Sequence, residues 1–161
     1  MTTVAEVLIA AGATDLVQAA AAGDVNGTLT ADTPEADRVA ALRIAAEHGQ
    51  LDVIDQLLAA STPVDGVNID GSTALHEAAF CGRADIVRHL LARGADPTRR
   101  DARFHTTPLG WCRHQQQQTG SGQGYEEVAQ ILAPITPNQS QPTNRGVTKA
   151  DPQRRRVPVG L

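Results

Sequence analysis

The chain repeats itself, and that constrains its fold more than any composition does. Ala41-Leu42-Arg43-Ile44-Ala45-Ala46-Glu47-His48-Gly49 lies over Ala74-Leu75-His76-Glu77-Ala78-Ala79-Phe80-Cys81-Gly82 at an offset of 33. Asp52-Val53-Ile54-Asp55-Gln56-Leu57-Leu58-Ala59 lies over Asp85-Ile86-Val87-Arg88-His89-Leu90-Leu91-Ala92 at the same offset, without a gap. A third copy starts at Thr107-Pro108-Leu109, offset by 34 from Thr73-Ala74-Leu75, and resumes at Gly124-Tyr125-Glu126-Glu127-Val128-Ala129-Gln130-Ile131-Leu132. From Gly82 to Gly124 the offset is 42, so this copy carries one extra residue before its first helix and eight more beyond it. A unit recurring at such a period buries its apolar face only by stacking on its neighbours.

The middle copy shows what one unit is. Thr73 is a good N-cap, Leu75, Ala78 and Ala79 fall on one helical face, and Gly82 suits a left-handed helix end. Asp85 then precedes Ile86, Val87, Leu90 and Leu91, a second apolar stripe closed by Gly94 and the turn-prone Asp96-Pro97. The unit is therefore a short inner helix, an antiparallel outer helix and a polar finger. Composition agrees: 26 alanines and only four aromatics, Phe80, Phe104, Trp111 and Tyr125, favour close-packed helices over a β-sandwich or barrel.

Asn68-Ile69-Asp70-Gly71-Ser72-Thr73-Ala74-Leu75-His76-Glu77-Ala78-Ala79, then Gly82, Asp85-Ile86-Val87, Leu90-Leu91 and Gly94-Ala95-Asp96, resemble an ankyrin repeat, whose period this is. Thr107-Pro108-Leu109-Gly110-Trp111 is similar to a variant seen in bacterial ankyrin proteins and departs from the motif at Gly110 and Cys112. The resemblance implies an all-α solenoid of helix-turn-helix units with short finger loops. About four units are expected over residues 1–133, the first ones partial.

Residues 16–23 match an inner helix, and Val4 to Gly12 resembles an outer one. From Leu16 to Leu42 the offset is only 26, seven short of a repeat, and Thr33-Pro34-Glu35, an N-cap, a first-turn proline and a first-turn acid, predicts an inner helix that starts early and replaces the usual finger. From residue 134 on, Pro, Gln, Asn and Thr without periodicity predict a disordered basic tail over 134–161.

Residues 1–133 hold 9 Arg against 17 Asp and Glu, while residues 134–161 hold five basic residues against Asp151. An acidic body argues against a nucleic-acid groove, because phosphate contacts supply most such affinity. Docking to nucleic acid through Arg154-Arg155-Arg156 is the alternative, with an enzymatic role a lesser one. No stretch suits a bilayer span or a secretory leader, so a cytoplasmic, monomeric chain with no membrane insertion is expected. Cys81 and Cys112 then read as small packed residues and not as a disulfide.

Catalytic and metal chemistry find little support. The resemblance gives His76 a structural role, bonding the helix-start threonine and bridging neighbouring fingers. His76, Cys81, His89, His105, Cys112 and His114 show no paired ligand spacing. Gln115 to Gly124 looks like a glycine-rich phosphate loop but follows a helix and lacks the Lys-Ser/Thr ending, so it reads as a flexible insertion. No nucleophile elbow surrounds Ser121. No cofactor, metal or catalytic residue is assigned.

The resemblance implies non-catalytic binding of a partner protein, regulatory or scaffolding, through the concave face. Its positions there are Ile69, Asp70, Ser72, Glu77, Phe80 and Cys81 in one repeat and Arg103, Phe104, Thr106, Trp111 and His114 in the next. Trp, Phe and Arg commonly dominate binding energy. Trp111 and Phe104 are either anchors for the partner or seals on the last repeat.

Overall fold

The computed structural model describes residues 15–120 and 122–136. Val4 to Gly12, Ser121 and the tail beyond residue 136 lie outside the described residues. Seven helices and no strand occur among those described: α1 (15–22), α2 (Glu35–His48), α3 (Leu51–Ala59), α4 (Ala74–Phe80), α5 (Ala84–Ala92), α6 (Pro108–Thr119) and α7 (Gln123–Leu132). The inner helices α2, α4 and α6 stack in one layer, and α3, α5 and α7 pair with them as the outer layer.

Small residues set the spacing of the inner layer. Ala41, Ala45 and Ala46 of α2 and Ala74, Ala78 and Ala79 of α4 are fully buried, so adjacent backbones pack closely with little side-chain volume between them. The outer helices contribute larger groups, Val53, Ile54 and Leu57, then Ile86, Val87 and Leu90, then Val128 and Leu132, all within the same core. Gly49 and Gly82 follow α2 and α4 with φ of 77° and 66°, as the repeat pattern predicts. Across the outer layer, Asp55 of α3 pairs with His89 and Arg93, and Arg88 pairs with Glu127 of α7.

Several expectations are corrected. α2 does begin early, at Glu35, but the shortened first unit gives up its outer helix as well as its finger: residues 24–34 hold no helix, only two turns, one in which Thr28 and Leu29 N–H donate to the Val25 carbonyl and one in which Thr33 N–H donates to the Thr30 carbonyl. Thr33 does not cap α2, because its hydroxyl accepts the Thr30 N–H at 2.8 Å and Pro34 occupies the cap position. The glutamine run is not a loop. α6 continues through it to Thr119, giving a helix of 12 residues against the seven of α4, and the break falls only at Gly120. Packing also passes residue 133: Thr136 is buried, with its N–H on the Leu132 carbonyl.

Candidate functional site

Two fingers frame the face formed by the inner helices, and each is built on one acceptor side chain. In the first, Asn68 Oδ1 accepts from the N–H groups of Asp70 and Ser72 at 3.0 Å each and from the Ser72 hydroxyl. Its ends are tied by the Asn68 N–H on the Ser72 carbonyl. Asp101, at the repeat offset from Asn68, does the same work in the second finger. Its Oδ2 accepts the Phe104 N–H at 2.6 Å, and its Oδ1 accepts the Thr106 N–H at 2.9 Å and the Trp111 indole N–H at 3.3 Å.

The extra residue of the third copy sits inside this second finger, whose tie runs from the Asp101 N–H to the Thr106 carbonyl. The last finger residue before each tie has positive φ, 73° at Gly71 and 52° at His105. Glycine adopts that conformation freely and histidine does not. Gly71 is needed for a second reason, since a Cβ there would sit 2.7 Å from the Ala102 nitrogen, whose N–H donates to the Asp70 carbonyl at 2.7 Å and joins the fingers.

His76 completes the frame. It is fully buried; Nδ1 lies 3.2 Å from the Thr73 nitrogen and 3.0 Å from its hydroxyl, and Nε2 lies 3.2 Å from the Thr106 carbonyl. A carbonyl only accepts, so Nε2 carries the proton and Nδ1 accepts from Thr73. Burial holds the imidazole below its ordinary value of 6.5 despite the Thr106 bond and the Asp101 charge. Burial alone would raise the Asp101 carboxyl, but the donors of Phe104, Thr106 and Trp111 outweigh it and hold the group below 3.8.

Trp111 is the hub of an aromatic cluster. Its ring meets His76 at 5.2 Å, Phe80 at 5.9 Å and Phe104 at 6.4 Å between centroids, each edge to face. Around it opens a pocket of about 550 Å³ lined by Phe80, Phe104, Thr106, Gly110, Trp111 and His114. That volume falls within the range of ligand pockets. Gly110 shapes it, because the Thr106 hydroxyl lies where a Cβ at Gly110 would go.

The expected partner-facing residues divide sharply. Phe80, Phe104, Thr106, Trp111 and His114 come together in this pocket, and the Arg103 guanidinium lies 5.1 Å over the Phe104 ring. Ile69 is 99% exposed at the tip of the first finger, away from the cavity lining. Asp70 is half-buried, with its carbonyl committed to Ala102, and Glu77 is ion-paired with Arg43 of α2. Ser72 is corrected: it is 1% exposed, its hydroxyl held by Asn68, and it presents nothing to a partner.

Cys81 is half-buried and its thiol is pushed up by burial. Cys112 is buried, and burial raises its thiol to about 11. Neither has thiolate character. Among the described residues no group of three or more His, Cys, Asp and Glu could hold a metal, and no helix is long and apolar enough to cross a membrane.

Sequence reasoning passed over Asp101 and Gly110 as contributors. Asp101 carried a signal, its repeat offset from Asn68. A family model described as ankyrin repeats, in three copies, matches residues 5–101, so the finger beyond Asp101 and the helix α6 that complete the pocket lie past the matched span. Repeats of this kind are generally protein-binding modules and are typically non-catalytic. With its regularly offset units, inner and outer helices and linked fingers, the chain belongs to the ankyrin repeat family.

Proposed function

We propose that the chain holds a partner protein without transforming it, through the inner-helix face at its last described repeat. Phe104 and Trp111 provide the apolar contact, with Phe80 and His114 around them and Thr106 as a polar group on the wall. The observation that carries this reading is the pocket itself, an open cavity of about 550 Å³ with four aromatic or imidazole side chains and Gly110 on its walls. Binding energy in protein interfaces concentrates on a few such side chains set in pockets.

Phe104 and Trp111 play different parts. Phe104 is 63% exposed and held mainly through its backbone, so it is free to contact a partner. Trp111 is half-buried and hydrogen-bonded to Asp101, so it serves the fold and the pocket together. A scaffolding or regulatory role suits a groove walled by aromatic side chains.

The test compares proteins retained from source cells by the wild-type chain, by Phe104→Ala and by Leu51→Ala, an exposed apolar position on α3 outside the pocket. A protein retained by wild type and Leu51→Ala but lost with Phe104→Ala, at unchanged melting temperature, supports the reading. Retention that is indifferent to Phe104 and to Trp111 contradicts it.

A further inference from the structure

We propose that the pocket selects an acidic peptide segment carrying one apolar anchor side chain, with Arg100 and Arg103 receiving the carboxylates; this rests on the binding reading above. The described part of the chain is acidic, with 9 Arg against 16 Asp and Glu over residues 15–136. Such a surface repels an acidic ligand by default. Against that background, three of the nine arginines, Arg99, Arg100 and Arg103, sit on the finger that forms the pocket wall, and all are exposed.

Two of the carboxylates close to that finger are already engaged elsewhere. Asp101 is 1% exposed and its oxygens face inward to Phe104, Thr106 and Trp111. Glu77 is taken by Arg43. Asp96 accepts from the Thr98 N–H and hydroxyl at 2.8 and 2.7 Å and stays charged beside Arg99, which leaves Arg100 and Arg103 as the receiving pair; Asp70 lies half-buried on the neighbouring finger.

The positive charge is also placed in register with the cavity. Arg103 stacks on Phe104, a lining residue, so its guanidinium stands at the pocket's edge with N–H donors available to a carboxylate. Arg100 is held against the same loop through the His105 carbonyl at 3.3 Å. A ligand that buries an apolar side chain against Trp111 therefore brings its adjacent residues to the finger that carries both guanidinium groups. Stacked arginine and aromatics also suit single-stranded nucleic acid, but the acidic body opposes a phosphate chain beyond the first nucleotides, whereas a short acidic segment ends at the finger.

The full-length chain is used to select peptides from a random display library, and binding is read in solution by the fluorescence of Trp111, the only tryptophan. The selected peptides are expected to place Asp or Glu beside Leu, Ile or Phe and to bind more weakly as salt rises. Combined Arg100→Glu and Arg103→Glu substitutions should weaken them about tenfold or more, as expected for charge reversal at a complementary face. Selection of neutral or basic peptides that still perturb Trp111 overturns the acidic preference and leaves the groove reading standing. Failure of any selected peptide to perturb Trp111 overturns both, and displacement of the acidic peptides by oligothymidylate at matched charge would reassign the site to nucleic acid.

Discussion

The middle and last repeats place different chemistry at equivalent positions. In the middle repeat the inner-helix face is closed by polar links: Glu77 pairs with Arg43 behind it, and His76 reaches the Thr106 carbonyl ahead. In the last, Trp111 stands where Glu77 would and Gly110 stands where His76 would, each at an offset of 34. The indole packs against His76 and Phe80 of the middle repeat, so the pocket opens at the joint that the imidazole bridges. The contrast sets polar links between repeats in one unit beside an aromatic pocket wall in the next, on the same backbone plan.

The largest test of that contrast lies in the outer helices. Leu90 and its equivalent in the last repeat, Leu132, are both fully buried. Leu90 is enclosed by repeats on both sides, so Leu90→Ala should cost about 4 kcal/mol; Leu132→Ala, where the end can relax, should cost about 2 kcal/mol. Urea unfolding measures both, and equal losses would show that the last repeat is packed as rigidly as the middle one.

The fingers come next. Asp101→Ala strips acceptors from two backbone N–H groups and the Trp111 indole and should cost about 2–3 kcal/mol, while Asn68→Ala, which removes a neutral acceptor, should cost about 1 kcal/mol. The same unfolding experiment decides the order, and a larger loss at Asn68 would reverse the assignment of Asp101 as the keystone.

Acid separates the two repeats by pH. Burial keeps the folded His76 pKa below 6.5, so the unfolded chain takes up this proton first; stability from the neutral ring is complete above about pH 6.5 and declines as pH falls below it. Asp101 is held below 3.8, so its contribution is complete above about pH 3.8 and is lost as pH falls through the lower folded value. A melting temperature followed from pH 8 to 3 should therefore fall in two stages, and His76→Gln should flatten the upper one. A rise in melting temperature on acidification would contradict both assignments.

The smallest effect concerns the left-handed position at the end of the second finger. His105 occupies positive φ where the first finger has Gly71. His105→Gly should raise stability by about 0.5–1 kcal/mol by relieving that conformation, partly offset by the greater freedom of an unfolded glycine. Destabilisation would mean that the histidine ring makes a contact worth more than its backbone strain.

How much of this was legible in the sequence follows the range of each interaction. The helices of the middle repeat were readable because their signals are local: Thr73 at the cap, the spacing of Leu75, Ala78 and Ala79, and Gly82 at the end. The pocket's members were readable through the resemblance, because the repeat fixes which finger and inner-helix positions face outward, and five of them converge. Ser72 was misread because its position satisfied the pattern while its hydroxyl turned inward to Asn68, a bond that depends on the finger's folded shape. The glutamine run was misread because its composition suggests a linker, whereas a helix already begun at Pro108 extends cheaply into residues with good helical propensity. Asp101 was missed because its importance lies in the two N–H groups and the indole that converge on it, and convergence is a property of the fold.

Acrylamide quenching of Trp111, measured in the free chain and in its complex with the retained partner, tests the central claim most directly. A half-buried indole on the pocket wall should be moderately quenched when free and strongly protected at saturation, with the same protection lost in Phe104→Ala. Quenching unchanged by a saturating partner would place the binding surface elsewhere and reduce Trp111 to a seal on the last repeat.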